Sequence, residues 1–183
     1  CNCFMNFELI YNNFFIIISG LDETLILVIV SLSLGFFISI PFALARVSSI
    51  KILSKSVYFY VFVIRGTPLL VQIYLIYYGL GTIEYVRESF LWIVLKDPFY
   101  CGVLALVLNT VAYTTEIFRG GIQSVTIGQI ESCKSLGMSR IAMYRKIILP
   151  CAFRQALPGY GNEMILMVKS TSLVSLITIM EMT

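Results

Sequence analysis

The 183-residue sequence contains no histidine, one tryptophan and few charges, with Asp, Glu, Lys and Arg together making up 13% of it. Soluble domains carry about 25%, so this shortage excludes an ordinary water-facing surface over most of the chain. The absence of histidine removes the commonest metal ligand, and the five cysteines (Cys1, Cys3, Cys101, Cys133 and Cys151) form no C-x-x-C pair. No zinc-type spacing is left, and an odd set of thiols spaced this way reads as reduced. There is no G-x-x-x-x-G-K-[ST] run, so the chain has no phosphate-cradling loop of its own. The net charge is only +3, and the basic residues sit between apolar runs instead of in a patch with exposed aromatics, which leaves nucleic-acid binding without support. Neither an internal repeat nor a low-complexity tract is present.

What is present is apolar: 58% of the residues are hydrophobic and the mean hydropathy is +0.90. A hydrocarbon layer about 30 Å thick takes about 20 apolar residues per helix, so the length has room for about four spans. The first runs from Leu21 to Ala45. The second runs from Val57 to Leu80 and is interrupted by Arg65-Gly66-Thr67-Pro68, which puts its dry part at Pro68 to Thr82 and Tyr58 to Ile64 along the interface. The third runs from Phe99 to Ile117, and the fourth from Leu157 to Met180 with Asn162, Glu163 and Lys169 inside it. Residues 1–20 read as an external N-terminal segment, in which Met5 is the start and residues 1–4 are a fragment edge or upstream read-through.

Lysine and arginine are retained on the cytoplasmic side of short loops. The connection from Arg46 to Arg65 carries Lys51 and Lys55 and no acid, and that from Arg119 to Arg154 carries Lys134, Arg140, Arg145 and Lys146. Both are expected to be cytoplasmic, with the N-terminus outside.

The stretch from Arg119 to Arg154 is far longer than the roughly 2 to 8 residues that join neighbouring helices, and loops of this length tend to be functional. Ser139 is a plausible N-cap for a short helix with Ile141, Tyr144, Ile147 and Ile148 at helical spacing, which Pro150 is expected to stop. Its Glu131-Ser132-Cys133, Gly137 and Ile147-Ile148-Leu149-Pro150 resemble the cytoplasmic-loop signature of ABC importer permeases, E-A-A, three residues, G, nine residues, I-x-L-P. Ser132 and Cys133 replace the alanines with residues of similar size. Arg65-Gly66-Thr67-Pro68-Leu69-Leu70-Val71-Gln72, Tyr113-Thr114-Thr115-Glu116-Ile117-Phe118-Arg119-Gly120-Gly121 and Lys169-Ser170-Thr171-Ser172-Leu173 resemble the polar amino-acid branch of that family. Gly161-Asn162-Glu163-Met164-Ile165-Leu166-Met167 is closest to its permeases for basic amino acids and opines.

The resemblance implies an all-α membrane protein with the type I ABC importer transmembrane-domain fold over residues 21–183, a multi-pass subunit of the bacterial inner membrane that is not an enzyme. It implies a separate ATP-binding subunit that holds ATP and Mg, a second permease subunit, same or homologous, an external solute-binding protein and an amino-acid substrate. This chain itself needs no cofactor. Glu131, Ser132, Cys133, Gly137, Ile147, Leu149 and Pro150 would then couple it to the ATPase, with the helix near Glu131 to Gly137 docking in a groove and Gly137 permitting the turn that follows. The family pattern continues with a further span beyond Thr183. A truncated or regulatory fragment, and a small channel or secondary carrier, are the alternative readings.

Ionisable residues inside a span are costly and mark candidate functional positions. Six residues turn a helix through about 600°, so Glu163 and Lys169 lie about 120° apart and do not pair with each other. Glu163 shares a stripe with Ser170, and Asn162 shares the adjacent one with Lys169. With Thr171 and Ser172 they make a polar wedge that lines a pathway, unless Glu163 pairs with an arginine on a neighbouring helix and Lys169 snorkels. Arg65, Thr67 and Gln72 either meet a substrate carboxylate at a helix break or mark only the point where a helix enters the membrane. Tyr74, Tyr77 and Tyr78 read as interface-belt residues.

Overall fold

The computed structural model describes residues 7–89 and 92–180; Cys1, Cys3, Met5 and Thr183 lie outside them. Among the described residues every regular element is helical. Helix α1 spans Phe7–Arg46, α2 Lys51–Gly66 and α3 Leu69–Tyr74, the last running on through a π turn at Leu75–Gly79. Two short helices, α4 (Glu84–Arg87) and α5 (Trp92–Leu95), precede α6 (Pro98–Gln123). Then come α7 (Ile127–Ser135), α8 (Arg140–Met143), a second π turn at Tyr144–Ile148, and α9 (Leu149–Met180).

The segment expected to stand apart as residues 1–20 is, from Phe7 onward, the first part of α1. Thr24–Arg46 and α6 are long and apolar enough to cross a membrane, or there are three spans if α2 and the α3 run, bent by 105°, count as one. Of the four expected segments, the last also lies within one continuous helix, α9.

Helix α6 is the hub. Asp97 caps it by accepting from the Phe99 N–H at 2.9 Å, with Pro98 in the first turn, where a missing N–H costs nothing. Its small residues let neighbours approach: Gly35 of α1 packs on Thr110, and Gly121 sits against the Ala152 carbonyl of α9. The core that joins α1, α3, α6 and α9 includes Leu32, Ile73, Leu106 and Met167. One face of the stretch from Tyr58 to Ile64 packs on the bundle: Val57 and Val61 are buried with Ala112, and the Tyr60 hydroxyl donates to the Leu108 carbonyl at 2.6 Å. Pro150 does not stop a helix. It is the second residue of α9, directly after a π turn whose wide hydrogen-bonding pattern tolerates a residue without an N–H.

Candidate functional site

The helix break expected at Arg65-Gly66-Thr67-Pro68 is present, and one side chain holds it. Buried Gln72 donates its amide to the Ile64 carbonyl at 2.7 Å, to the Thr67 carbonyl at 3.1 Å and to the Thr67 hydroxyl at 2.8 Å. These are the carbonyls that α2 leaves without partners where it ends. Gln72 therefore serves the backbone, and the expectation that it meets a substrate carboxylate is corrected.

The break forms one wall of a cavity of about 410 Å³. Arg65, Gly66, Thr67, Pro68 and Leu69 supply that wall, Asn109 and Tyr113 of α6 the second, and Glu163, Leu166, Met167 and Ser170 of α9 the third. Asn109 and Tyr113 are four apart, and Glu163 and Ser170 seven apart, so each helix presents one stripe. Glu163 is 6% exposed, and among the described residues no ion pair reaches it. The Arg65 guanidinium lies over the Tyr113 ring at 4.8 Å. The cavity thus holds an acid and a base on different walls, with an aromatic ring and an amide between them.

The polar wedge is narrower than expected. Asn162 and Lys169 are exposed and do not line the cavity. Thr171 is buried and donates to the Val168 carbonyl at 2.7 Å, and exposed Ser172 donates to Lys169 at 2.7 Å, so neither faces the cavity. At 100° per residue the adjacent stripe has already turned past the cavity mouth. Tyr74 and Tyr77, expected in an interface belt, pack against the main core.

A second polar group lies one turn from Tyr113. Glu116 pairs with Arg46 of α1 at 3.4 Å and with Arg119 at 2.7 Å, and Arg46 also covers the Tyr58 ring at 4.7 Å. This cluster was not among the expected site residues, although an acid three residues before an arginine on an apolar helix signals a pair.

In the 119–154 segment, Thr126 and Gln129 form a capping box at the start of α7. Gly137 follows its end at φ 70°, where its N–H bonds the Lys134 carbonyl at 2.9 Å and the Met138 N–H bonds that of Cys133 at 3.1 Å. This is a Schellman termination, and the conformational reason expected for Gly137 holds. Ser139 caps α8 by accepting from Ala142. Cys133 turns inward, 4% exposed, and packs with Val125, Met143 and Ile148 while Ile147 leans on the same cluster, so the thiol secures α7 to its own chain and is not itself a contact. Glu131 and Ser132 are exposed, as are Leu149 and Pro150. Exposed with them are three large apolar residues, Ile127 at 74%, Leu136 at 80% and Ile141 at 81%.

The family model for binding-protein-dependent transport system inner membrane components matches residues 35–183. The chain belongs to that family. The permease is 51% identical over 180 residues to the nopaline transport system permease protein NocM of Agrobacterium fabrum, covering 98% of this chain and 75% of that one. It is 45% identical over 162 residues to the histidine/lysine/arginine/ornithine transport system permease protein HisM of Escherichia coli K12, covering 88% and 68%. A solved structure described as an amino acid ABC transporter with histidines superposes with a TM-score of 0.83 at 39% identity, covering 95% of this chain and 77% of that one. The permease is thus the inner-membrane subunit of an amino-acid ABC importer and not an enzyme; ATP is hydrolysed by a separate subunit, and the family implies a solute-binding protein and a second permease subunit. A channel or secondary carrier is set aside by the same match.

Proposed function

We propose that the cavity between the α2–α3 break, α6 and α9 is where the permease holds a basic amino acid or opine during import. The observation that carries this reading is a buried carboxylate, Glu163, which no ion pair reaches among the described residues and which shares a cavity with Arg65 on another wall. Burying a charge without a partner is costly, so such a group is matched by something that enters. An amino acid with a cationic side chain carries both complements: its ammonium or guanidinium meets Glu163 and its carboxylate meets Arg65, while Asn109 and Ser170 offer neutral hydrogen bonds. The substrates named for the relatives, nopaline and the histidine/lysine/arginine/ornithine set, have this chemistry.

The N-terminus lies outside in this reading, and the segment from Arg119 to Arg154 faces the cytoplasm, where Glu131, Ser132 and the exposed Ile127, Leu136 and Ile141 meet the ATPase. ATP and Mg sit on that partner.

The test is uptake by proteoliposomes containing the permease with its ATPase, partner permease and binding protein. A charge-assisted hydrogen bond contributes about 1.5–3 kcal/mol, so Glu163→Gln is expected to lower arginine uptake by about tenfold or more while the complex still assembles. Unchanged arginine uptake would remove Glu163 from the pathway.

A further inference from the structure

At the far end of α6 from its Asp97 cap lies a second cavity, of about 360 Å³, that the transport reading does not use. Its walls are the last turns of α1 and α6 and the first of α9, including Leu44, Phe118, Ile122, Leu149 and Phe153. Arg145 is the one charged residue lining it. That arginine is exposed on the π turn, and among the described residues it makes no ion pair or hydrogen bond. The groove opens outward, since Leu44 and Leu149 are each 37% exposed and Phe153 is 44% exposed.

Its depth can be read along α1. Ile40, which lines it, precedes Arg46 by six residues, or about 9 Å of helix. Arg46 stands with Glu116 and Arg119 at the charged end of the bundle, so the groove runs from a polar level into the apolar one. Apart from Arg145 its lining is aliphatic and aromatic, which suits a hydrocarbon chain, and that single cation complements a phosphate.

We propose that this groove binds one acyl chain of an anionic phospholipid, with its headgroup phosphate on Arg145. The site requires only that the permease be embedded in a bilayer, and it is independent of what the Glu163 cavity carries. Bound lipid held this way fastens the first turn of α9 to the ends of α1 and α6.

The complete transporter is placed in nanodiscs of phosphatidylethanolamine and phosphatidylglycerol, then extracted in detergent, and retained lipid is measured by native mass spectrometry. The intact protein is expected to retain phosphatidylglycerol in preference. Arg145→Gln is expected to lower that retention about fivefold, the factor that one basic side chain near an anionic surface contributes. Leu44→Trp fills the slot and is expected to remove retained lipid of both kinds; if it does not fold, Leu149→Trp obstructs the same slot. Equal phosphatidylglycerol retention by the intact protein and Arg145→Gln would overturn the proposal. So would a cysteine at Leu44 that cross-links to the ATPase or the second permease subunit in the assembled complex.

Discussion

Two glycines show how differently the same residue type can be required. Gly121 is needed for space, because any Cβ there would run into the Ala152 carbonyl where α6 meets α9. Gly137 is needed for conformation: beyond its two chain neighbours nothing lies within 4 Å of the position its Cβ would take, yet its φ is 70°. The left-handed region costs an L-residue roughly 1–2 kcal/mol, less for asparagine. Gly137→Ala is therefore expected to loosen the α7–α8 turn by about that amount, with Gly137→Asn recovering most of it. Hydrogen exchange across residues 133–139 reads the difference, and equal protection in all three proteins would show that the turn does not depend on φ. Neither requirement could be ranked from sequence, where one glycine stands between Gly120 and Ile122 and the other between Leu136 and Met138. Gly137 was legible because its spacing from Glu131 and Pro150 matched a signature, whereas the tight contact at Gly121 depends on which helix α9 crosses.

The broken second span shows what helical periodicity can and cannot supply. Arg65-Gly66-Thr67-Pro68 announces a break, since glycine and proline together end a helix. It does not announce the 105° bend, and the bend decides where every later side chain points. Gln72 follows one turn after Pro68, and its nearness to the break made it a candidate for a substrate carboxylate; in the folded chain it turns back to the end of α2. Asn162 and Lys169 were misplaced for a related reason, because a stripe on α9 says nothing about the width of the cavity it borders. Glu163 with Ser170 was legible because a buried acid must face either a partner or a cavity. Each net hydrogen bond contributes about 0.5–1.5 kcal/mol, so Gln72→Leu, which removes those to Ile64 and Thr67, is expected to destabilise the α2–α3 break by about 1–3 kcal/mol and to lower the melting midpoint of the purified transporter. Gln72→Glu, which cannot donate when ionised, is expected to do no better. A melting midpoint unchanged by Gln72→Leu would show that the break is held by packing alone.

At the scale of the whole molecule, charge and connectivity agree on one end. The Arg46–Glu116 pair, 3.4 Å long, ties the end of α1 to the end of α6. Lys51 begins α2 just beyond Arg46, and the 119–154 segment begins just beyond Glu116, so the two basic stretches share a face of the bundle. Arg65, counted with the first of them by sequence, is instead about 21 Å from Lys51 along α2, at the cavity, with its guanidinium over the Tyr113 ring. With Arg65 set apart, the two basic stretches meet at the end of the bundle where Arg46 pairs with Glu116, and that end is the one expected to face the cytoplasm. A cysteine in place of Lys51 is accordingly expected to resist an impermeant maleimide added to intact cells and to react once the membrane is opened. Labelling from outside would invert the topology and with it the coupling reading. That reading makes a separate demand on the same face. Three apolar side chains, Ile127, Leu136 and Ile141, stand exposed around α7 among basic residues, where bulk water alone gives no reason for them. If they form the centre of the ATPase contact, placing a charge there desolvates it on binding, whereas a charge on an open loop changes almost nothing. Leu136→Asp is expected to abolish co-purification of the ATPase while the permease inserts normally and still pairs with its second subunit. ATPase recovered in normal amounts with both Leu136→Asp and Ile141→Asp would mean that the partner docks elsewhere, and the path of force from ATP to the Glu163 cavity would have to be sought through another surface.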